Sequence, residues 1–155
     1  MDMETFAQRV EILRPRLYRT AFCYLGSEAM ALDALDEAVY RGLRSLKKLR
    51  QPEFFDTWMT RILINECMRE LKRTKRFQPL EDLPELSAEA FDHLPLQEAL
   101  RQLPKELRDV VILRYFSGYT QAETAQTLEI PQGTVATRQR RALQLLRLEL
   151  EEVTV

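Results

Sequence analysis

The segment from Thr120 to Leu146, TQAETAQTLEIPQGTVATRQRRALQLL, constrains the fold more than any other part of this chain. Thr120 and Glu123 have the spacing of a capping box, in which the hydroxyl accepts from a backbone N–H three residues on and the carboxylate reaches back. An apolar stripe at helical spacing follows: Ala122, Ala125 and Leu128. Pro131 and Gly133 then interrupt the pattern, because proline disfavours helix in the residue before it and glycine permits a sharp bend. The segment therefore predicts a short helix, a tight turn and a second helix.

The second of these helices is basic on its outer face. From Gln132 to Leu148 the chain has four arginines and no acidic residue. The inward face is predicted to hold Val135, Ala142, Leu143 and Leu146. This is the layout of a helix-turn-helix, whose second helix lies in the DNA major groove. It also fits a helical bundle whose charged face is simply solvated, so the rest of the chain must decide between the two.

The whole chain is predicted to be all-α, because Leu, Ala, Glu and Arg are abundant while Gly and alternating β-branched runs are scarce. Its net charge is −1, but the charges are unevenly distributed. Residues 1–76 carry 15 basic and 11 acidic side chains, and residues 77–98 carry six acidic ones and no Lys or Arg. Residues 99–155 carry eight basic and seven acidic side chains. Two basic-leaning ends therefore flank an acidic middle.

Several kinds of protein are disfavoured by what the sequence contains. No stretch of about eighteen apolar residues is present, so no membrane span is expected. The start, MDMETFAQRV, has acidic residues where a secretion signal has basic ones, so we expect a cytoplasmic protein. Cys23, Cys67 and His93 lie far apart and make a poor ligand set, so we expect buried thiols and no metal or other cofactor. No nucleophile–base pair is recognisable, and we do not expect an enzyme.

Three helices are predicted before the acidic middle, over residues 4–25, 28–49 and 53–76. Pro15 interrupts the first of them. Residues 77–95 hold three prolines and no sustained helical period, which predicts a linker. Helix resumes over residues 96–116. The acidic tail after Leu148 is expected to fray.

Two of these helices carry charges with more than one interpretation. The second has acidic residues early and basic residues late, which suits the helix dipole but would also offer an acidic face to a basic partner. The third gathers more Lys and Arg near its end than the dipole requires, which favours a phosphate-facing surface. Trp58, in its apolar stripe, is interpreted as a core anchor rather than as a wedge between bases.

Three blocks of sequence occur in the order and spacing of a known family. They are ALDALDEAVYRGL (31–43), FFDTWMTRILINECMRELKR (54–73) and LPKELRDVVILRYFSGYTQAETAQTLEIPQGTVATRQRRAL (103–143). With them the chain resembles the extracytoplasmic-function (ECF, group IV) sigma factors of bacterial RNA polymerase, in the sigma-70 family. The resemblance covers nearly the whole chain.

The resemblance implies two small helical domains: a region 2 bundle over 1–76 and a region 4 helix-turn-helix over 96–155, joined by the acidic linker 77–95. It implies a transcription initiation factor that binds core RNA polymerase and directs it to promoter DNA, in response to stress or another signal and under the control of an anti-sigma factor. The linker would permit a compact arrangement that occludes these surfaces, and the function would then require it to open.

The resemblance also implies roles for individual residues. The residues that would contact the minus-thirty-five element are Thr134, Thr137, Arg138, Arg140 and Arg141. At the minus-ten element they are Arg61, Asn65, Arg69, Lys72 and Arg73. The polymerase clamp helices would be met by Asp33, Asp36 and Glu37. The loop from Arg50 to Phe55 would capture a flipped base, whose unstacking costs a few kcal/mol.

Three positions depart from the family pattern. Asp36 stands where Gln is usual, Arg69 where Asp is common, and Ala136 where Lys or Arg usually contacts DNA. Two other interpretations therefore stay open: a stand-alone helix-turn-helix regulator, and a sigma-like protein that binds only a protein partner. The first gives no role to the long helices of the N-terminal half, and the second is supported only by Asp36 and Ala136.

Overall fold

The computed structural model describes residues 1–77 and 96–154, and every regular element in these ranges is helical. The N-terminal part has α1 (Met3–Leu25), α2 (Glu28–Arg44) and α3 (Phe55–Phe77), with short 3-10 turns at Leu46–Lys48 and Pro52–Phe54. The C-terminal part has α4 (Leu96–Gln102), α5 (Lys105–Val111), a π-helical turn (Ile112–Phe116), α6 (Gln121–Leu128) and α7 (Gln132–Thr154). The fold is therefore all-α, as predicted, while the linker predicted over 77–95 lies outside the described residues except for Phe77.

The ends of α1 and α2 are fixed by local capping. The Asp2 carboxylate accepts from the Thr5 backbone N–H at 2.8 Å and so satisfies one free donor at the start of α1. Gly26 ends α1 in the left-handed region (φ 68°), where glycine carries no Cβ penalty, and its N–H donates to the Phe22 carbonyl. The Ser27 hydroxyl then caps α2. Gly26 and Ser27 thus form the turn between α1 and α2.

Several predicted helix boundaries are wrong. Pro15 lies inside an unbroken α1, where Leu13 and Leu17 on either side are buried and hold the helix against the core. The second helix ends at Arg44 instead of continuing to residue 49. At the other end of the chain, α7 continues to Thr154, beyond the point at which fraying was expected.

Helices α1, α2 and α3 pack into a bundle around a shared apolar core. Its centre includes Leu17, Leu35, Phe55 and Met59, all of which are fully buried. Gly42 allows α2 to approach α3 closely, because a Cβ at that position would lie 2.8 Å from the Met59 sulfur. Leu32, in contrast, is 42% exposed on the outer face of α2.

The C-terminal part has its own small core between α4, α5 and α7. It comprises Ala99, Leu100, Leu103, Leu107, Val111, Ala142 and Leu146. The predicted capping box at the start of α6 is present: the Glu123 N–H donates to the Thr120 hydroxyl at 3.1 Å, and the Thr120 N–H donates to the Glu123 carboxylate at 2.9 Å. The buried residues of α6 are Thr124 and Thr127, so the predicted alanine stripe is wrong.

The two parts pack directly against each other. Ile112, Leu113 and Tyr119 from the C-terminal part belong to the same apolar cluster as the α1–α3 core. The Tyr24 hydroxyl also donates to the Asp109 carboxylate at 2.6 Å, in a buried position between the two parts. The described residues thus adopt the compact arrangement that the sequence permitted.

Candidate nucleic-acid interface

Helix α7 carries the predicted minus-thirty-five contacts, and the chain before it fixes its start. The Pro131 carbonyl accepts from the backbone N–H groups of Thr134 (3.0 Å) and Val135 (3.2 Å), so the helix begins one residue after the proline. Val135, Ala142 and Leu146 are buried and share one stripe of the helix. Their burial turns the opposite stripe of α7 outward.

The five side chains of α7 that were predicted to contact DNA differ in their exposure to solvent. Thr137, Arg140 and Arg141 are exposed, whereas Thr134 and Arg138 are half-buried. The Thr137 hydroxyl donates to the backbone carbonyl one turn earlier, at 3.0 Å. Among the side chains that the structure describes, Arg140 and Arg141 have no ion pair, so both guanidinium groups are available to a phosphate or to a guanine edge.

Arg138 points away from that exposed face. Its Nη2 lies 3.9 Å from the Glu106 carboxylate, and it helps to line a cleft of about 180 Å³ between the two parts of the molecule. Arg61 and Asn65 of α3, two predicted minus-ten contacts, line the same cleft. We call this space the interdomain cleft. The structure therefore brings together residues that were assigned to two different promoter elements.

Gln139 is a residue of α7 that the sequence interpretation missed. Its amide oxygen accepts from the Arg114 Nε (3.1 Å) and from the Gln121 side chain (3.3 Å), while its amide nitrogen donates to the Tyr115 hydroxyl (2.9 Å). The side chain thereby ties α7 to α6 and to the π-helical turn. The signal was its spacing: Gln139 lies four residues after the buried Val135, so it is a polar residue on an otherwise apolar stripe.

Arg61 of α3 is held by the helix-turn-helix. Its Nη1 donates to the Thr127 carbonyl at 3.1 Å, and its Nη2 lies 3.5 Å from the Glu129 carboxylate. Both partners belong to the end of α6. Arg61, which was predicted to contact the minus-ten element, thus contacts the C-terminal part of the molecule.

The remaining predicted minus-ten residues lie on outer faces of α3. Asn65, Arg69, Lys72 and Arg73 are all exposed. Arg69 is paired with the carboxylate of Glu66, and Arg73 donates to both oxygens of Glu70 at 2.6–2.7 Å. Lys72 has no ion pair among the described side chains. The basic surface is therefore partly neutralised by acidic residues on its own helix.

The predicted polymerase-facing residues Asp33, Asp36 and Glu37 are all exposed on α2. They line one open groove of about 580 Å³ together with Arg69 and Arg73 of α3. The acidic face and part of the basic face are thus neighbours, although they were assigned to different partners.

A second residue missed from the sequence, the buried Glu66, joins these two faces. Its carboxylate contacts the Arg41 Nε at 2.5 Å and also pairs with Arg69. Arg41 in turn lies 3.3 Å from Glu37. A buried carboxylate is costly unless it is paired, so these contacts fix the relative positions of α2 and α3 at this surface.

The loop before α3 forms a separate pocket of about 380 Å³. Its lining includes Leu49, Phe54 and Trp58, and its other side is closed by Gln126 and Glu129 of the helix-turn-helix. Trp58 is only partly buried, so it packs at the edge of the core rather than in its centre. Phe54 and Trp58 stand beside Arg61 in this pocket, and aromatic side chains next to a basic one suit a stacked base and its phosphate.

The described residues contain neither a metal-binding cluster nor a membrane span. No three His, Cys, Asp or Glu side chains in this part of the chain are grouped so that they could hold an ion. None of the helices here is both long and apolar enough to cross a bilayer. The thiols of Cys23 and Cys67 are buried and unpaired, and burial raises their pKa to about 11 and about 12.

Two family models match this chain: "Sigma-70 region 2" over residues 9–77 and "Sigma-70, region 4" over residues 93–146. RNA polymerase sigma factor SigV of Bacillus subtilis is 33% identical over 138 residues, which cover 86% of this chain and 83% of that protein. ECF RNA polymerase sigma factor SigM of Mycobacterium tuberculosis is 32% identical over 146 residues, which cover 91% of this chain and 74% of that protein. The chain belongs to the ECF sigma factors of the sigma-70 family. It is a transcription initiation factor.

Solved structures agree with this sigma factor in fold. The sigma factor RpoE from Bartonella quintana, in complex with the anti-sigma factor NepR, superposes with a TM-score of 0.74 at 20% identity over 96% of this chain and 98% of that one. CnrH, in complex with the cytosolic domain of CnrY, superposes with a TM-score of 0.72 at 22% identity over 97% and 90% of the two chains. The sigma factor thus shares its two helical domains with these proteins, and its helix-turn-helix is region 4.

Proposed function

We propose that this sigma factor, a member of group IV, uses three surfaces to bring core RNA polymerase to its promoters. Region 2 (1–76) binds polymerase and the minus-ten element, region 4 (96–155) binds the minus-thirty-five element, and residues 77–95 link them. The observation that carries the proposal is the outward face of α7, where Arg140 and Arg141 are exposed without ion pairs among the described side chains.

The proposed minus-thirty-five surface follows from the packing of α7. Its apolar stripe is buried against the other helices of region 4, so Thr137, Arg140 and Arg141 on the opposite, exposed side would meet the DNA. Arginine can donate two hydrogen bonds to a guanine edge or neutralise a phosphate. Thr134 and Arg138 join this surface once Arg138 leaves Glu106.

The proposed minus-ten surface is the exposed stripe of α3 together with the pocket of the preceding loop. Asn65, Lys72 and Arg73 lie on its outer part and would follow the strand, with Arg61 beside the pocket and Arg69 beside the polymerase-facing groove. Stacking on aromatic side chains and phosphate neutralisation would offset the cost of a flipped base.

The partners follow from the same surfaces. Asp33, Asp36 and Glu37 present three carboxylates to a basic surface of core polymerase. An anti-sigma factor is a further expected partner, supported by the similarity to a sigma factor that was solved with one. The protein acts in the cytoplasm, without catalysis or a cofactor of its own. Ala136 has no hydrogen-bonding atom in its side chain, so any contact that it makes with a base edge would be apolar.

The acidic surface is tested with the double variant Asp33→Lys and Asp36→Lys. Both residues lack an ion pair in the described part of the molecule, so the change alters the surface rather than an internal contact. Glu4→Lys with Glu11→Lys, on the exposed face of α1, is the control with the same change of charge. Binding to core polymerase is measured by titration, with circular dichroism as the check on folding. We expect a loss of affinity only in the α2 variant, and equal affinity of both variants would contradict this docking surface.

A further inference from the structure

Residues 50–55, the pre-α3 loop, are held by a side chain from a distant part of the sequence. Arg9 of α1 donates from its Nη1 to the Pro52 carbonyl at 2.8 Å, across 43 positions of the chain. Its Nη2 lies 3.7 Å from the carboxylate of Asp56, in the first turn of α3. Its guanidinium carbon also lies over the Phe55 ring, 4.8 Å from the ring centroid. One side chain thus contacts the middle of the loop, its last residue and the helix that follows.

These three contacts suit an arginine in particular. The guanidinium is planar and has several N–H donors in its plane, so it can donate to a carbonyl and approach a carboxylate while its face covers a ring. An ammonium group is a compact charge without such a face. The Phe55 ring below Arg9 is fully buried and packs edge-on against Phe6 at 5.8 Å between centroids. Arg9 therefore ties the loop to a fixed part of the core.

The other hydrogen bonds of the loop are local. The Phe54 N–H donates to the Gln51 carbonyl at 3.0 Å, and the Thr57 hydroxyl donates to the Phe54 carbonyl at 3.1 Å. Each of these bonds joins residues three positions apart. Among the residues that the structure describes, Arg9 has the only side chain of another helix that forms a hydrogen bond with this loop. Without Arg9, the loop would keep its local bonds and lose its hydrogen bond to α1.

The position of the loop determines the shape of the pocket beside it. Arg50, Gln51 and Phe54 of the loop line this pocket of about 380 Å³, and Trp58 of α3 lines it as well. The Trp58 ring in turn packs on Phe55, with 6.0 Å between ring centroids. A binding site needs its contact groups held to within about 0.5 Å by supporting side chains. Arg9 is not part of the pocket lining, but it contacts the loop on which half of that lining depends.

We propose that Arg9 is a positioning residue for base capture: from α1, it sets the conformation of the pre-α3 loop and so the shape of the pocket that takes one base of the minus-ten element. The inference rests on the proposed function, which places a flipped base in this pocket. It adds a residue outside the pocket to the recognition of that base. Arg9 acts through the loop and touches neither the base nor its phosphate.

The first test measures what the captured base contributes to binding. The probes are single-stranded oligonucleotides with the minus-ten motif of a promoter that the wild-type holoenzyme selects, each with an abasic site at a different position of the motif. Titration with holoenzyme gives the dissociation constant of each probe relative to that of the intact oligonucleotide. This ratio isolates the base, because a general loss of folded protein or of a phosphate contact weakens all probes equally.

The variant is Arg9→Gln, and the matched control is Arg14→Gln. Arg14 lies on the same helix, pairs with Glu11 at 3.2 Å and is 38% exposed, against 33% for Arg9. Circular dichroism and urea unfolding check that both variants fold. If Arg9→Gln does not fold, Arg9→Lys takes its place with the same expectation, because it keeps the charge and the aliphatic stem but has no planar group.

The wild type and Arg14→Gln should both show one position at which the abasic site weakens binding roughly 5- to 150-fold, the range for one stacked base. Arg9→Gln should lower the ratio at that position at least about twofold, because a displaced loop gains less from the base. The ratios at the other positions should not change. An unchanged ratio at the sensitive position would overturn the inference, even if all probes bind more weakly.

The second test observes the loop itself, without polymerase or DNA. Hydrogen exchange of the peptides that cover residues 50–55 is measured by mass spectrometry in the whole protein, with the peptides of α7 as the internal reference. Exchange in the loop should become at least about twofold faster in Arg9→Gln and stay the same in Arg14→Gln. Equal exchange in the wild type and in Arg9→Gln would overturn the inference.

The results separate this inference from the proposed function. If no abasic position weakens binding of the wild-type holoenzyme, the pocket captures no base, and this part of the proposed function fails together with the inference. If the wild type has such a position and Arg9→Gln keeps the same ratio there, the proposed function stands and the inference alone fails.

Discussion

The arginines of this protein differ in their partners rather than in their charge. Arg140 and Arg141 are exposed on α7 and lack ion pairs among the described side chains, whereas Arg61 and Arg138 are engaged with oxygen atoms. A sequence pattern places all four on basic helices but cannot say which are already neutralised. The reason is distance along the chain: Arg61 and Glu129 are 68 positions apart, and only the tertiary packing brings them together.

The exposed arginines of α7 lead to the first prediction. Arg140→Ala should weaken binding of the holoenzyme to a selected promoter by about 1–3 kcal/mol if the side chain reads a base, and the loss should be smaller on scrambled DNA. Arg147→Ala, exposed on the same helix but two turns further on, is the matched control and should cost less. Binding is measured by titration at two salt concentrations. An equal loss on both DNA sequences would assign Arg140 to a phosphate contact instead.

The buried thiols give a prediction about alkaline pH. Burial raises the pKa of Cys23 to about 11 and of Cys67 to about 12, from an ordinary value near 9. The unfolded chain therefore loses these protons first, so the stabilisation is fully present below pH 9 and is lost as pH rises towards the folded values. The free energy of unfolding should fall by at most about 1.4 kcal/mol per pH unit for each thiol.

The measurement for this prediction is urea unfolding between about pH 8 and 9.5, below the ordinary tyrosine pKa of 10 at which the unfolded chain ionises its tyrosines and the buried ones begin to contribute. Replacing both cysteines with alanine should flatten the dependence on pH, whatever it does to the stability at neutral pH. A slope that persists unchanged in the double variant would show that other groups cause it.

At the scale of helices and turns, the features that could be predicted from the sequence depend on neighbouring residues. The predicted capping box of Thr120 and Glu123 is present, and it joins residues only three positions apart in the sequence. The wrong predictions have tertiary causes. Pro15 does not end α1, and α6 buries threonines rather than alanines, because contacts with other helices outweigh the local preference.

Adding a side chain at two helical glycines should change the free energy of unfolding in opposite directions. A Cβ at Gly133, in the first turn of α7, would have no atom within 4 Å, so Gly133→Ala should raise the free energy of unfolding by roughly 0.4–1 kcal/mol. A Cβ at Gly42 would meet the sulfur of the fully buried Met59 at 2.8 Å, so Gly42→Val should lower it by about 1–3 kcal/mol. Urea unfolding measures both. A Gly42→Val variant as stable as the wild type would contradict the close packing of α2 on α3.

At the scale of the whole molecule, the sequence supported two helical domains and a compact arrangement but not the surfaces that meet. The buried pairs of Thr20 with Ser117 and of Thr60 with Tyr119 join residues with no visible relation in the sequence. The interface is specific, yet it covers part of the proposed minus-ten surface.

We propose above that this sigma factor selects promoters through both of its domains. The most direct measurement is transcription by core RNA polymerase plus this protein on a library of promoters randomised at the minus-ten and minus-thirty-five positions. We expect enriched start sites preceded by two motifs at a fixed spacing, with the upstream motif lost in Arg140→Ala. If polymerase binds the protein but selects no promoter, promoter selection by this protein is ruled out and a protein that binds only a protein partner is favoured.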